Sequence, residues 1–435
     1  MRRMLLIAVL LVFAASDASA SFTAPVELSA APYGLGGTAA TDAAGTTSVV
    51  ITGPNGTLLR ERRRGGAWSA GVRLPGRPRG VAGPVLDAAG NGALGIAWRV
   101  DRPRIYSGIA VALRDPGAAL SEPIAIAGNA AGGVRHPSLA IDARGDALLA
   151  YSAGTRTAHL NDRGKVAVTY RRAGGAFARP VIVERRAASA PKVALAPDGT
   201  GVVAWTRSGR VHGVVIGAGG RIGKAKALGS APGISTLAAA AAHGGAATIL
   251  WTSRAQGGAT AVYSRRAGAF GRARAVASAP VFRVGAQVAA DDRGRMVAAW
   301  REEGVSGSPG VVSSSIVAAG GVVGRPLGPA RLVVRRRSGF VTSPSVAIAA
   351  GRSVIAWGFG ADRRRFGVQA AIGSPTAPGA RQTVASVSLT NVTSTPPAVD
   401  AAVDPRGPAT LVFTLPAERG TPPMLSQRLL AADGT

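Results

Sequence analysis

Short apolar runs alternate with glycine-containing turns along most of the chain, and the pattern returns about every fifty residues. One copy, Pro137 to Tyr151, has alternating apolar residues, a turn with Asp142 and Gly145, and then four apolar residues and an aromatic. The stretch that ends at Trp205 repeats this order. Alternation on both sides of a glycine-containing turn is typical of a β-hairpin. We name its two predicted strands A and B.

Eight copies of this unit occur, and each places its turn glycine six residues before the residue that ends strand B. The turn glycines are Gly45, Gly92, Gly145, Gly199, Gly245, Gly294, Gly351 and Gly407. The strand-B ends are Ile51, Trp98, Tyr151, Trp205, Trp251, Trp300, Trp357 and Phe413. The first copy is the weakest, since it ends without an aromatic. The constant spacing indicates one structural unit repeated along the chain.

A second hairpin, strands C and D, follows strand B in most copies, most clearly from Val166 to Val183. Four strands in about fifty residues make one blade of a β-propeller. The sequence therefore predicts an all-β fold, a propeller of about eight four-stranded blades, with seven as the alternative. The stretch Ser21 to Leu28 resembles a strand D, and the last copy stops after one strand beyond strand B. We expect the N-terminal strand to close the last blade.

Two features of the repeat need interpretation. The run from Leu237 to Ala242 has high helix propensity by itself. Its place in the repeat is strand A, the innermost strand, where small side chains fit around a channel. The aromatic residues that end strand B are expected to pack between blades, and truncating a buried tryptophan typically costs about 3–5 kcal/mol.

The first twenty residues predict export. Arg2 and Arg3 precede an apolar run, and Ala18 and Ala20 frame a cleavage site, which together are typical of a secretory signal peptide. We predict a signal peptide over residues 1–20 and a single propeller domain over residues 21–435, secreted to the cell envelope or beyond. No later stretch indicates a transmembrane segment, and we expect a monomer. The chain has no cysteine, which excludes disulfides and thiolate metal sites.

The formal net charge is +29, and nearly all of it is arginine. A compositional bias toward arginine or selection for an anionic partner would each account for it. In a propeller the B–C and D–A loops share one face, which we call the loop face, and the A–B and C–D turns share the opposite face, the turn face. Arginine binds carboxylate, sulfate and phosphate through paired N–H groups. The candidate ligand-binding residues at the loop face are Arg99, Arg156, Arg207, Arg254, Arg301, Arg363, Arg364 and Arg365.

No set of residues predicts a catalytic or metal site, and we expect no cofactor. The acidic residues expected at the loop face are Asp101, Asp162, Glu302, Glu303, Asp362 and Glu418. Hydrolysis of a glycosidic bond needs two carboxyl groups about 5–9 Å apart, which sequence cannot show. Aspartates near the A–B turns are interpreted as bonding their own backbone. These are Asp42, Asp87, Asp142, Asp198, Asp291 and Asp404. The four histidines share no repeat position and show no metal-ligand spacing.

The repeat resembles those of secreted bacterial β-propeller proteins, although it lacks the Gly-His and Trp-Asp dipeptides of WD repeats and the sialidase Asp-box. Because propellers serve many functions, the resemblance implies architecture only. Our first hypothesis is a non-enzymatic secreted binding protein for an anionic envelope polymer, an acidic glycan or a protein partner, and not for specific nucleic acid. The alternative is an extracellular glycan-active hydrolase or lyase, sialidase-like in architecture, with its site at the channel mouth.

Overall fold

The computed structural model is all-β over the residues that it describes. These are residues 26–29, 36–53, 56–74, 84–102, 105–127, 134–154, 164–188, 191–253, 258–264, 270–278, 282–305, 312–361, 364–389, 397–416 and 425–430. Within these ranges the helical content is one 3-10 turn, His243–Gly245. No helix in this part of the chain has the length and apolar character of a membrane span. The predicted signal peptide, residues 1–20, lies outside the described ranges.

The strands after the first group into blades in chain order. Strand β1 is Val26–Ser29. Blade 1 contains β2 (Gly36–Thr41), β3 (Thr47–Gly53), β4 (Gly56–Arg62) and β5 (Val72–Leu74). Blade 2 contains β6 (Val85–Ala88), β7 (Leu94–Arg102), β8 (Ile105–Arg114) and β9 (Ile124–Ala127). Blade 3 contains β10 (Val134–Ile141), β11 (Ala147–Gly154), β12 (Gly164–Arg171) and β13 (Val181–Ala188).

The next three blades have the same order. Blade 4 contains β14 (Lys192–Leu195), β15 (Gly201–Arg207), β16 (Arg210–Gly217), β17 (Arg221–Ile222) and β18 (Lys226–Ser230). Blade 5 contains β19 (Ile234–Ala242), β20 (Ala246–Ser253), β21 (Gly258–Ser264) and β22 (Arg274–Ser278). Blade 6 contains β23 (Phe282–Ala290), β24 (Arg295–Val305), β25 (Val312–Val322) and β26 (Arg331–Arg336).

The last two blades complete the ring. Blade 7 contains β27 (Phe340–Val341), β28 (Ser345–Ala349), β29 (Arg352–Gly360), β30 (Arg365–Gly373) and β31 (Arg381–Ser388). Blade 8 contains β32 (Ala398–Val403), β33 (Ala409–Thr414) and β34 (Leu425–Leu430). Its fourth strand is β1, which pairs antiparallel with β34. The predicted closure by the N-terminal strand is therefore confirmed.

The described strands form eight antiparallel sheets in which chain order is also spatial order. The first strands of successive blades are neighbours all round, from β2 through β6, β10, β14, β19, β23, β28 and β32 back to β2. This ring is a β-propeller, which confirms the predicted fold class. The weak first copy forms a complete four-stranded blade.

The turn glycines and the strand-B aromatics are structural, as predicted. Seven of the eight turn glycines have positive φ, Gly145 at 92° for example, a conformation that L side chains rarely adopt. Trp205, Trp251, Trp300 and Trp357 are fully buried between blades. The alanine-rich run is strand β19, paired with β20 from Ile234 to Ala242. Tertiary register thus overrides its helix propensity.

Polar side chains join the first strands of neighbouring blades. A first strand is an edge of its sheet and exposes N–H groups that need partners. At five contacts between neighbouring blades, a side-chain oxygen of one blade accepts a hydrogen bond from a backbone N–H of the next blade. The pairs, with N···O distances, are Asp87 with Ile141 (2.8 Å), Ser138 with Val193 (3.1 Å), Thr236 with Ala286 (2.8 Å), Ser345 with Ala401 (3.1 Å) and Asp400 with Ala39 (2.9 Å).

This arrangement corrects one prediction about the aspartates. Asp142 accepts the N–H groups of Arg144 and Asp146 and so bonds its own turn, and Asp42, Asp198, Asp291 and Asp404 do likewise. Asp87, by contrast, lies within β6 and borders the central channel, and the turn position falls on Ala89, whose N–H bonds Ala93. The prediction that Asp87 bonds its own turn was wrong, because the acidic residue of blade 2 lies two positions before the turn residue Ala89.

Arginines at the end of strand C fasten neighbouring blades on the turn face. Arg171 of blade 3 pairs with Asp115 of blade 2 through two N–H···O bonds of 2.8 Å, and it also donates to the carbonyls of Gly145 and Gly175. At the same position in blade 2, Arg114 bonds the carbonyl of Gly92 and a carboxylate of blade 1. Part of the chain's positive charge therefore stabilises contacts between neighbouring blades.

Candidate functional site

The eight arginines predicted to bind a ligand divide into three groups. Arg156, Arg254 and Arg363 lie outside the described residues. Arg99 lies within β7, Arg365 is the first residue of β30, and Arg364 directly precedes it. Arg207 and Arg301 form ion pairs with carboxylates of the same face. The structure therefore brings the described arginines of this set to several blades, and Arg301 lines a cavity.

Arg301 follows the buried Trp300 near the loop-face end of strand B in blade 6. Its Nη1 donates to the carbonyl of Val341 at 2.9 Å, and its Nη2 lies 2.8 Å from Oε1 of Glu303. These contacts fix the guanidinium against blade 7. About a quarter of the side chain stays exposed. Arg301 thus presents a positioned cation at the loop face.

Arg301 borders a cavity of about 590 Å³ between the first strands of blades 7 and 8. Its other lining residues are Phe340, Thr342, Ser343, Pro397, Ala398 and Val399. Apolar walls with a few polar groups are typical of ligand sites. Phe340 and the proline offer apolar surface, and the two hydroxyls offer hydrogen-bonding groups. Sequence reasoning missed these lining residues because it considered charged side chains, whereas the lining other than Arg301 is apolar or neutral.

Basic side chains continue from this cavity along the strand D–A connection of blade 6. Arg335 and Arg337 are exposed, and Arg336 lies over the ring of Phe359, 4.2 Å from its centroid. Burial, and then the nearby Arg381, lower the pKa of Arg336. The connection reaches Phe340 of the cavity three residues after Arg337. Positive potential therefore surrounds the cavity mouth.

Glu302 and Glu303 do not form a catalytic carboxyl pair. Neighbouring residues of a strand point to opposite faces of the sheet. Glu302 accepts the indole N–H of Trp300 at 3.0 Å, whereas Glu303 pairs with Arg301. The two carboxylates are therefore directed away from each other. Of the remaining acidic candidates, Asp162, Asp362 and Glu418 lie outside the described residues. The structure describes the backbone of Asp101 but not its side chain.

A second charged cluster lies between blades 3 and 4. Glu184 of β13, which sequence did not single out, bonds Nη1 of Arg207 at 2.7 Å and the backbone N–H of Arg186 at 2.9 Å. Burial raises the pKa of Glu184, but these donors outweigh it and the net shift is downward. His212 stacks on Trp205 with ring centroids 6.0 Å apart, and burial followed by Arg207 lowers its pKa. This cluster belongs to a contact between blades, and none of these residues lines the Arg301 cavity.

Nothing in the described part of the chain gathers three or more histidine or acidic residues that could hold a metal ion. The aspartates of the A–B turns are occupied by backbone N–H groups and arginines. Asp142, for example, pairs with Arg144 at 2.8 Å. The cavity beside Arg301 thus offers cationic and neutral hydrogen-bonding chemistry among its described residues.

The fold is similar to that of solved enzymes that act on polysaccharides. A family-25 polysaccharide lyase, an ulvan lyase bound to an oligosaccharide of GlcA(1-4)Rha3S, aligns over 94% of this chain and 96% of its own at 12% identity and a TM-score of 0.53. The same lyase without the saccharide gives the same values. The polysaccharide lyase Uly1 covers 85% of this chain and 94% of its own at 12% identity, with a TM-score of 0.44, which is too low to support an argument. No family model and no curated protein matches the chain.

These comparisons correct the functional interpretation drawn from sequence. The preference for a non-enzymatic binding protein rested on charge and on the lack of a catalytic motif. The full-length structural likeness is to a polysaccharide-degrading enzyme, which contradicts that preference and favours the alternative, a glycan-active hydrolase or lyase. At 12% identity the likeness itself shows the fold, so no residue role passes to this chain.

Proposed function

We propose that this protein is an extracellular polysaccharide lyase that acts on a uronate-containing polysaccharide at the loop face. The observation that carries the proposal is the positioned Arg301 in a cavity at the loop face of a propeller that aligns over nearly its full length with a lyase bound to a glucuronate-containing saccharide. The high arginine content and the signal-peptide pattern of residues 1–20 support an acidic substrate outside the cell.

The chemistry of a lyase explains why a positioned cation matters. Elimination removes the proton next to the uronate carboxyl group, expels the glycosidic oxygen and leaves a carbon–carbon double bond. Negative charge grows on the carboxyl group as the proton leaves, and a fixed cation stabilises that charge. A guanidinium can meet a carboxylate through two parallel N–H···O bonds. Because Glu303 and Val341 hold Arg301 in place, little ordering is needed when substrate binds.

The remaining lining residues supply recognition in this proposal. The ring of Phe340 would pack against a sugar face, and the hydroxyls of Thr342 and Ser343 would bond sugar hydroxyls. The described lining residues include no histidine, tyrosine or lysine, so we assign the base that removes the proton to none of them. Arg301 is therefore proposed as a group that binds the uronate, not as the base.

The test uses the mature chain, residues 21–435, with a panel of uronate polysaccharides, both sulfated and unsulfated, and a neutral glucan as control. Two readouts separate the reactions, because elimination gives an absorbing conjugated double bond as well as new reducing ends, whereas hydrolysis gives reducing ends alone. We expect both signals with an acidic polysaccharide. Reducing ends without the double bond would identify a hydrolase. Absence of both signals with every polymer would refute the proposal.

Variants then test the role of Arg301. Removal of a single group that stabilises developing charge typically lowers kcat by about 100-fold or more. We expect Arg301→Ala to lower kcat/KM on that order and Arg301→Lys to recover part of it. Arg331→Ala is the matched control, since Arg331 is exposed on β26 at the outer edge of the same blade. Equal losses in the Arg301 and Arg331 variants would show that overall charge, not this cavity, governs activity.

A further inference from the structure

The central channel holds a cavity that is separate from the Arg301 site. It has a volume of about 390 Å³ and is lined by the first strands of blades 2 to 6. Most of its wall is alanine, valine and leucine, including the run from Leu237 to Ala241. Three polar side chains interrupt this wall: Asp87, Lys192 and Gln287.

Asp87 is already committed to the fold. One of its carboxylate oxygens accepts the N–H of Ile141 at 2.8 Å, and the other accepts the N–H of Ala88 at 3.1 Å. Burial raises the pKa of Asp87 to about 6, against these two hydrogen bonds. The Asp87 carboxyl group therefore joins blades 2 and 3 and does not form an ion pair with the lysine of the same cavity.

Lys192 has no such partner. It opens β14, and no described residue lies within hydrogen-bonding or ion-pair distance of its ammonium group. The side chain reaches water in the channel, yet protein surrounds it closely enough for burial to lower its pKa. Because the side chain is exposed to the channel with no opposite charge paired to it among the described residues, an anion in the channel can approach its ammonium group. Gln287 lies in the same cavity and adds an amide that can donate to an anion.

The cavity opens toward the turn face. It shares Asp87, Leu195, Ala241 and Ala290 with a second cavity of about 520 Å³ that the A–B turns enclose. Arg293 and Arg406 line this outer cavity and are exposed. The same cavity is also lined by Asp142 and Asp291, which pair with Arg144 and Arg295, and by Asp292, which is exposed. The outer cavity therefore carries charges of both signs, whereas Lys192 and Gln287 line the inner cavity alone.

We propose that the central channel binds one small oxyanion, such as a phosphate, a sulfate or a small carboxylate, at Lys192 and Gln287. The cavity of about 390 Å³ has room for one small anion. Lysine suits this place because its ammonium group is compact and can turn toward a ligand of any shape. Lys192 and Gln287 lie on the side of this cavity away from the turn face, and the cavity shares no lining residue with the Arg301 cavity. The oxyanion proposal therefore does not depend on the proposed lyase activity.

The chain offers a direct test because it has four lysines, Lys165, Lys192, Lys224 and Lys226. Reductive methylation with ¹³C-formaldehyde keeps each positive charge and gives each lysine its own NMR signal. Inorganic phosphate and acetate are the probes. We expect the chemical shift of one lysine signal to change as the anion is added and to stop changing once one anion is bound per protein. The Lys192→Met variant should lack that signal. Parallel, unsaturated shifts of all four signals, or no shift, would overturn the proposal.

Thermal unfolding gives a second readout without labelling. Phosphate should raise the Tm of the unmodified protein and of Lys224→Met, whose lysine is exposed in the same blade, but not that of Lys192→Met. If phosphate stabilises all three proteins equally, the anion acts on the arginine-rich surface and the channel site is refuted. Loss of lyase activity in Arg301→Ala with an intact phosphate response would confirm that the two sites are separate.

Discussion

Replacement of Arg171 by methionine tests how the blades are held together. The guanidinium makes four hydrogen bonds: two to the Asp115 carboxylate, one to the carbonyl of Gly145 and one to the carbonyl of Gly175. These join blade 2 to two turns of blade 3. Methionine keeps much of the aliphatic stem but removes every donor, so the loss reports the polar contacts and not a large cavity.

The expected loss follows from burial. Arg171 is 8% exposed and Asp115 is 26% exposed. Breaking a buried pair costs about 3–5 kcal/mol, since one charge is left without its partner. Asp115 can still reach water, so we expect the lower end, about 3 kcal/mol. A surface pair would cost under about 1 kcal/mol, and the two cases are therefore distinguishable.

Urea unfolding followed by tryptophan fluorescence measures the change, and Arg172→Met is the matched control because Arg172 is the exposed neighbour. We expect the control to lie within about 0.5 kcal/mol of the wild type. The hydrogen bonds from Arg171 lower the pKa of Asp115. Their stabilisation is present above the unfolded-state pKa of aspartate and is lost as the pH falls through the lower folded-state value, so the variant should lose less stability in acid. Equal unfolding midpoints for both variants would refute an interblade role for Arg171.

Two further predictions concern the channel and the buried aromatics. The pKa of Asp87 is raised from 3.8 to about 6, so its contribution to stability is greatest below pH 3.8 and is lost as the pH rises through about 6. In urea unfolding, Asp87→Asn should remove this decline in the free energy of unfolding over the same pH range. An unchanged decline in the variant would show that Asp87 does not cause it. Trp251 donates its indole N–H to Ser230 at 3.2 Å, whereas the buried indole N–H of Trp357 has no partner among the described residues. Trp251→Phe should therefore cost about 1 kcal/mol more than Trp357→Phe, and equal losses of unfolding free energy would count against the hydrogen bond.

The repeat could be predicted because it is local. Alternation, the turn glycine and the aromatic that ends strand B recur at fixed spacing, so hairpins followed from the chain without any long-range information. The same register placed Leu237 to Ala242 on an inner strand against its helix propensity. Asp87 shows the limit of this approach: its neighbours in sequence resemble the turn of other copies, but hydrogen bonds assign the turn to Ala89.

The candidate site was harder to predict from the sequence. Arg301 was among the predicted ligand-binding residues, but the chain does not show that it lies beside Phe340 and Ser343 or that Glu303 holds it. The partners come from blades 6, 7 and 8, up to about a hundred residues apart along the chain. Such proximity depends on how neighbouring blades pack against each other, which no local pattern encodes. The functional preference was wrong for a related reason, since charge and the absence of a motif do not indicate what a cavity can bind.

The sequence by itself determined the strand order, the turns, the buried aromatics and the closing role of the N-terminal strand, because each depends on the alternation and spacing of nearby residues. Only the tertiary structure decided which arginines join neighbouring blades and which border cavities, and that Lys192 lies in the channel with no ion-pair partner among the described residues. Burial, pairing and pKa depend on what other blades bring to a side chain, and that is a property of the closed ring and not of the repeat.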